Sequence, residues 1–135
     1  MLHKCGKYAN YGTFVLRLVF GLIFLVHGFM KVTNVSATGQ FFSAIGIPAA
    51  SFFAIVVMLV EFLGGIALIL GLFTRWASLF IAIDMLVAFF VVHLKNGFFV
   101  DNGGYEFVLI LFATAVMFLL HGPGRYSLDH KFFKA

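Results

Sequence analysis

Eight side chains in this sequence have chemistry suited to ion pairing, proton exchange or ligand binding, and all of them lie in or beside apolar runs: Arg17, His27, Lys31, Glu61, Asp84, His93, Tyr105 and Glu106. Three of these, Arg17, Glu61 and Asp84, fall inside the runs. An ionisable group at membrane depth costs at least about 2.5 kcal/mol unless it is paired or hydrated. Each therefore needs a partner. Counted inward at about 1.5 Å per residue, Arg17 lies roughly 9 Å deep, Asp84 roughly 13 Å and Glu61 roughly 16 Å, near the midplane. The simplest expectation is a buried ion pair of Arg17 with Asp84, Glu61 being the alternative acid, that fixes the register of two helices. One carboxyl is then left over. It must be protonated, hydrated or bonded to a polar neighbour, and Glu61 is the candidate for proton exchange.

The remaining residues collect at run ends on one side. His27 and Lys31 close the first run, His93 and Lys95 the third, and Asn102-Gly103-Gly104-Tyr105-Glu106 opens the fourth. They are distant in sequence but share a depth, so His27, Lys31, His93 and Tyr105 can line a ligand pocket in which Glu106 exchanges protons. A plainer reading gives each residue a separate anchoring role. The His and Lys side chains would then snorkel to the interface, and Glu106 would complement the dipole of the last helix. A metal or haem site is not expected: there is no CxxCH, no His pair at i, i+4 and no acid at ligand spacing on the same helix. The single cysteine, Cys5, excludes internal disulfide and dithiol chemistry.

The elements that hold these residues follow from run length. Four apolar stretches, near residues 11–32, 49–72, 75–94 and 105–121, are long enough to cross about 30 Å of hydrocarbon. The break at 71–75 is short, which makes the second and third helices an antiparallel hairpin with Gly71 at the C-cap and Thr74 as the next N-cap. The longest break, residues 33–48, carries an amphipathic segment, Gln40 to Gly46, expected to lie across one end of the bundle. At 100° per residue Arg17, Gly21, Phe24, Gly28 and Lys31 form one stripe, with His27 at its edge. Glu61 shares a face with Val57, Gly65 and Leu68, beside Gly64. The glycines mark both faces as helix-packing seams.

Composition agrees. Of 135 residues, 63% are hydrophobic and 10% charged, and the mean hydropathy is +1.10. That stock cannot cover a water-soluble domain. The class is an all-α integral membrane four-helix bundle in a single domain, with the lipid bilayer as its partner. The net charge of +4 comes from bases at segment ends, a topology signal with no suggestion of nucleic acid. The first run is too long for a signal-peptide core, contains Arg17 and lacks a small-x-small cleavage site, so it reads as a retained helix.

With these residues in order, the chain resembles the DoxX family of small four-helix membrane proteins from Arg17 to Asp129. The resemblance rests on Arg17 followed by His27-Gly28-Phe29-Met30-Lys31, then Gly46-Ile47-Pro48, Glu61-Phe62-Leu63-Gly64-Gly65, Gly71-Leu72-Phe73-Thr74-Arg75, His93, Gly103-Gly104-Tyr105-Glu106 and Gly122-Pro123-Gly124-Arg125-Tyr126-Ser127-Leu128-Asp129. It implies a bacterial or archaeal plasma (inner) membrane location and a link to quinone or redox-stress chemistry. The sequence carries no flavin, haem or dithiol motif, so there is no intrinsic cofactor. A quinone or a soluble redox partner protein would supply the redox centre. The leading expectation is a membrane subunit of a quinone-linked oxidoreductase; the alternatives are a non-catalytic scaffold for a soluble enzyme and a small-solute permease. Four short helices enclose little interior, which makes a homodimer a reasonable assembly.

Basic residues set the expected orientation. Lys4, Lys7, Arg75, Arg125, Lys131 and Lys134 fall on one side, and Lys31 and Lys95 on the other. Both termini and the 71–75 turn are therefore expected in the cytoplasm. Cysteines placed at Lys7, Arg75 and Lys131 should resist an impermeant thiol reagent in intact cells, and those at Ser36 and Asp101 should react. The reverse pattern would invert the orientation.

Overall fold

A computed structural model describes residues 2–133, with side chains from residue 8 onward. Cys5 and the topology-marking Lys4, Lys7 and Lys134 lie outside the described side chains. The chain is an all-α membrane helical bundle: α1 (Leu2–Thr33), α2 (Val35–Ala44), α3 (Ala50–Leu70), α4 (Thr74–Ala88), α5 (Glu106–His121) and α6 (Leu128–Phe133), with no strand among the described residues. A π turn, Phe89–His93, and a 3-10 turn, Leu94–Asn96, prolong α4. Three stretches are long and apolar enough to cross a membrane, Tyr8–Thr33, Ala50–Leu70 and Thr74–Asn96. The fourth expected span is shorter. With 16 residues, α5 reaches about 24 Å, less than the hydrocarbon thickness of about 30 Å.

Glycines bring α1 and α3 together in antiparallel contact. A side chain on Gly21 would strike Gly65 and Ile69, one on Gly65 would strike Leu25 and Gly21, and one on Gly28 would run into the backbone of Glu61 and Phe62. Water-driven burial does not operate between helices in lipid, so this close approach is what gives the seam its dispersion energy. Beside it lies a buried core. Phe20 packs on Phe24 with ring centroids 5.0 Å apart and on Phe118 at 5.8 Å, together with Leu68, Ile81, Met85 and Leu111. Leu22, Val26, Leu63, Phe90 and Ile110 face outward, as lipid-facing residues should.

At the 71–75 turn Gly71 takes φ 66° and its N–H bonds to the carbonyls of Ala67 and Leu68, the C-cap that the sequence implies. Thr74 is not the N-cap. Phe73 holds that position at φ 51°, and the cap acceptors come from the far end of the chain: Asp129 Oδ1 accepts from Phe73 N at 2.7 Å and Oδ2 from Thr74 N at 2.9 Å. A carboxylate satisfies two orphan N–H groups and complements the helix dipole, which a threonine hydroxyl cannot match. At the opposite end the Asn34 side chain caps α2 by accepting from Ala37 N at 3.4 Å. The amphipathic segment is thus longer than expected; it begins directly after α1 and packs along α3.

The glycine seam predicts opposite signs for one substitution at two places. Gly12 has open space around it, so Gly12→Ala should stabilise α1 by up to about 1 kcal/mol of helix propensity. Gly28→Ala should destabilise by about 1–3 kcal/mol, because backbone cannot move aside as a side chain can. Unfolding in detergent followed by circular dichroism measures both.

Candidate functional site

Lys31 lies one turn beyond Gly28 on the α1 stripe, and the contact at Gly28 sets it above α3. Its Nζ stands 2.5 Å from Glu61 Oε2, with the two side chains 21% and 7% exposed. Asp84, from α4, comes within interacting range of both Glu61 and Lys31. The Asp84 Oδ2 is buried without a hydrogen-bond partner. Two acids and one ammonium from three helices thus share one buried place. With one of the two carboxyls protonated, Lys31, Glu61 and Asp84 sum to zero charge, the state that a low-dielectric setting favours.

The expected pair of Arg17 with Asp84 is not formed, nor is the alternative with Glu61. Arg17 is buried, but it lies at the other end of the bundle, where its guanidinium donates to the carbonyl of Leu68 at 3.0 Å and to that of Tyr126, with Asp129 as the nearby counter-charge. Free carbonyls at a helix C-terminus carry partial negative charge, and they sit within reach of a residue so near the membrane edge. The Asp129 role was not read from the sequence. Its signal is an acid at the start of a short helix after a Gly-Pro-Gly turn.

Two cavities flank the Lys31–Glu61–Asp84 group. One, of about 460 Å³, lies between α3 and α4 and is lined by apolar side chains, among them Val57, Val60, Ile83 and Val87, with Asp84 in its wall; Phe42, Ile47 and Pro48 roof it. The π turn contributes Val91 and Val92 to the same wall. The other, of about 420 Å³, lies between α1 and α2 and is lined by His27, Lys31, Asn34, Thr38 and Phe42. Phe42 belongs to both.

The outer residues do not form one pocket. His27 and Lys31 line the α1–α2 cavity, whereas His93, Tyr105 and Glu106 organise the 97–105 loop. His93 Nδ1 lies 2.7 Å from Gly103 O, Glu106 Oε1 accepts from Val100 N at 2.7 Å, and the Tyr105 ring packs on Phe89 and Phe98 at 4.9 and 5.5 Å. Gly103-Gly104 is a bonded turn, its N–H groups donating to Val100 O and Phe99 O at 2.8 and 2.9 Å. Polar atoms taken up by backbone in this way are not free for a ligand. Among the described residues no group of three or more His, Cys, Asp or Glu could hold a metal ion.

The DoxX family matches residues 12–94, a stretch that contains Lys31, Glu61, Asp84 and both cavities. The chain belongs to the DoxX family. It is 37% identical over 129 residues to a Bacillus subtilis (strain 168) protein named "Putative oxidoreductase CatD", covering 96% of this chain and 92% of that one. An uncharacterized protein of Haemophilus influenzae is 36% identical, over 98% of this chain and 99% of its own. Inner membrane protein YqjF of Escherichia coli (strain K12) is 31% identical, over 91% and 93%. No solved structure matches. In this DoxX chain the family stretch ends before α5, so the Asp129 cap and the Glu106 contact lie beyond it.

Removing one member of a buried pair strands the other charge, which costs about 3–5 kcal/mol. Lys31→Met should therefore destabilise the bundle by about that amount, and adding Glu61→Gln should recover much of the loss. Arg17→Leu and Asp84→Asn should be additive. Denaturation of the single and double variants in mixed detergent micelles reads both cycles.

Proposed function

We propose that this DoxX protein is a membrane subunit of a quinone-linked oxidoreductase or redox-stress system and holds a quinone-like molecule in the cavity between α3 and α4. The observation that supports this is the cavity's composition: apolar walls with one carboxyl, Asp84, set among them. A quinone ring and tail need apolar surface, and a carbonyl oxygen needs one donor, which a protonated Asp84 supplies. At about 460 Å³ the space falls within the usual range for small-molecule sites, about 300–1,000 Å³. The oxidoreductase name of the Bacillus subtilis relative agrees with this assignment. The Lys31–Glu61 pair, one step behind Asp84, makes Glu61 the proton-exchanging acid. His27 and Lys31 contribute from the α1–α2 side. Glu106 and His93 act through the loop they hold. Electrons come from a soluble partner, since the sequence carries no redox centre of its own. The inner membrane is the setting, with both termini on the cytoplasmic side.

Purified protein should bind decylubiquinone saturably by equilibrium dialysis. Asp84→Leu should weaken binding by the loss of one hydrogen bond, about 0.5–1.5 kcal/mol or roughly 2- to 10-fold. Val57→Trp should fill the cavity and weaken it further, and Lys95→Ala should leave it unchanged. No saturable binding would favour the scaffold. A loss on His93→Ala with none on Asp84→Leu would move the ligand to the 97–105 loop.

A further inference from the structure

The group between the two cavities suggests more than a ligand contact. Lys31 lines the α1–α2 cavity, Asp84 lines the α3–α4 cavity, and Glu61, which lines neither, bonds Lys31 at 2.5 Å and lies within interacting range of Asp84. The cavities differ in character. The first, at the end of the bundle where α1 stops, has His27, Asn34 and Thr38 in its lining, with His27 and Asn34 exposed. The second is walled by Val, Ile and Phe side chains. Phe42 stands in the lining of both. The polar lining of the first suits water beside Lys31, and the apolar walls of the second suit an apolar ligand beside Asp84.

We propose that Lys31, Glu61 and Asp84 form a proton relay that joins the two cavities, carrying protons between water at the His27 cavity and a ligand oxygen in the α3–α4 cavity while Phe42 keeps water from the ligand. This rests on the quinone reading for its ligand, and on the placement of Lys31, Glu61 and Asp84 for its route. Two-electron reduction of a quinone, by a dithiol or dihydroflavin donor on a soluble partner, forms two O–H bonds. For each, the Asp84 O–H bond breaks and the proton passes to the ligand oxygen. Glu61, which meets the His27 cavity only through Lys31, takes a proton from a hydronium that enters beside the Lys31 ammonium and passes it to the Asp84 carboxylate. Lys31 keeps its charge throughout and steadies Glu61 whenever Glu61 is ionised. Each cycle returns the group to one ammonium, one carboxylate and one protonated carboxyl.

The relay is tested by infrared spectroscopy of the full chain in detergent, without ligand, following transfer to D2O. A protonated-carboxyl C=O band that Asp84→Asn abolishes should be present and should shift rapidly as deuterium exchanges in. In Lys31→Met/Glu61→Gln, which removes both charges and so avoids stranding either, the exchange should slow by about a hundredfold. Adding Phe42→Ala to that variant should restore fast exchange by admitting water to the apolar cavity. Circular dichroism establishes that each variant is folded, and Lys31→Arg, which keeps the charge, should exchange like the parent. Parent-like exchange in the folded double variant, or no band that Asp84→Asn removes, would overturn the relay. Decylubiquinone binding to the parent protein is read separately. If the quinone fails to bind but exchange still depends on Lys31 and Glu61, the relay stands and the ligand is of another class.

Discussion

The buried contact of Lys31 with Glu61 is the interaction on which the site depends, and it exists because the α1 and α3 backbones nearly touch. Gly28 faces Glu61 and Phe62 with no side chain between, so an ammonium one turn further along α1 has to fall over the Glu61 carboxylate. The membrane favours this arrangement. An acid in hydrocarbon needs a partner, and a lysine near a helix end can either snorkel out to water or turn inward to a charge. Here it turns inward, and Asp84 is then drawn into a group whose charges can cancel.

The two ends of the bundle are built on different logic. At the 71–75 turn, cations meet backbone: Arg17 donates to the carbonyls of Leu68 and Tyr126, and Arg75 to those of Leu119 and Leu120 at 2.6 and 3.0 Å. Asp129 holds the start of α4 and its own N–H bonds to Gly71 O at 2.8 Å, so the C-terminal segment latches the hairpin. These bonds satisfy helix termini that lipid could not. At the other end, charges meet one another, cavities open, and α2 lies over them. Backbone capping and side-chain charge pairing thus lie at opposite ends of the bundle.

The π turn fits the same division. A single wide turn inside a helix loosens local packing and often marks a functional place. Here it falls where α4 supplies Val91 and Val92 to the apolar cavity and sets His93 against the Gly103 carbonyl. The cavity wall and the loop beneath it are therefore one mechanical unit.

The sequence by itself determined the solvent, the helical class, the place of the hairpin, the presence of an amphipathic segment between the first two spans, and the two glycine stripes, because these depend on run length, residue type and the 100° helical period. It also marked Arg17, Glu61 and Asp84 as residues in need of partners. Which partners they take was decided only in the folded bundle. Depth counted along each helix treats the spans as parallel rods of equal reach. The close approach at Gly28, however, brings Lys31 down to Glu61, and the end of α3 offers Arg17 carbonyls that no residue count reveals. The Asp129 cap crosses 55 positions to reach Thr74 N. His93, Tyr105 and Glu106 share a run end with His27 and Lys31, but His93 and Glu106 bond to the 97–105 loop and the Tyr105 ring packs on Phe89 and Phe98. Common depth does not supply convergence, since the azimuth of each helix is set by packing against its neighbours.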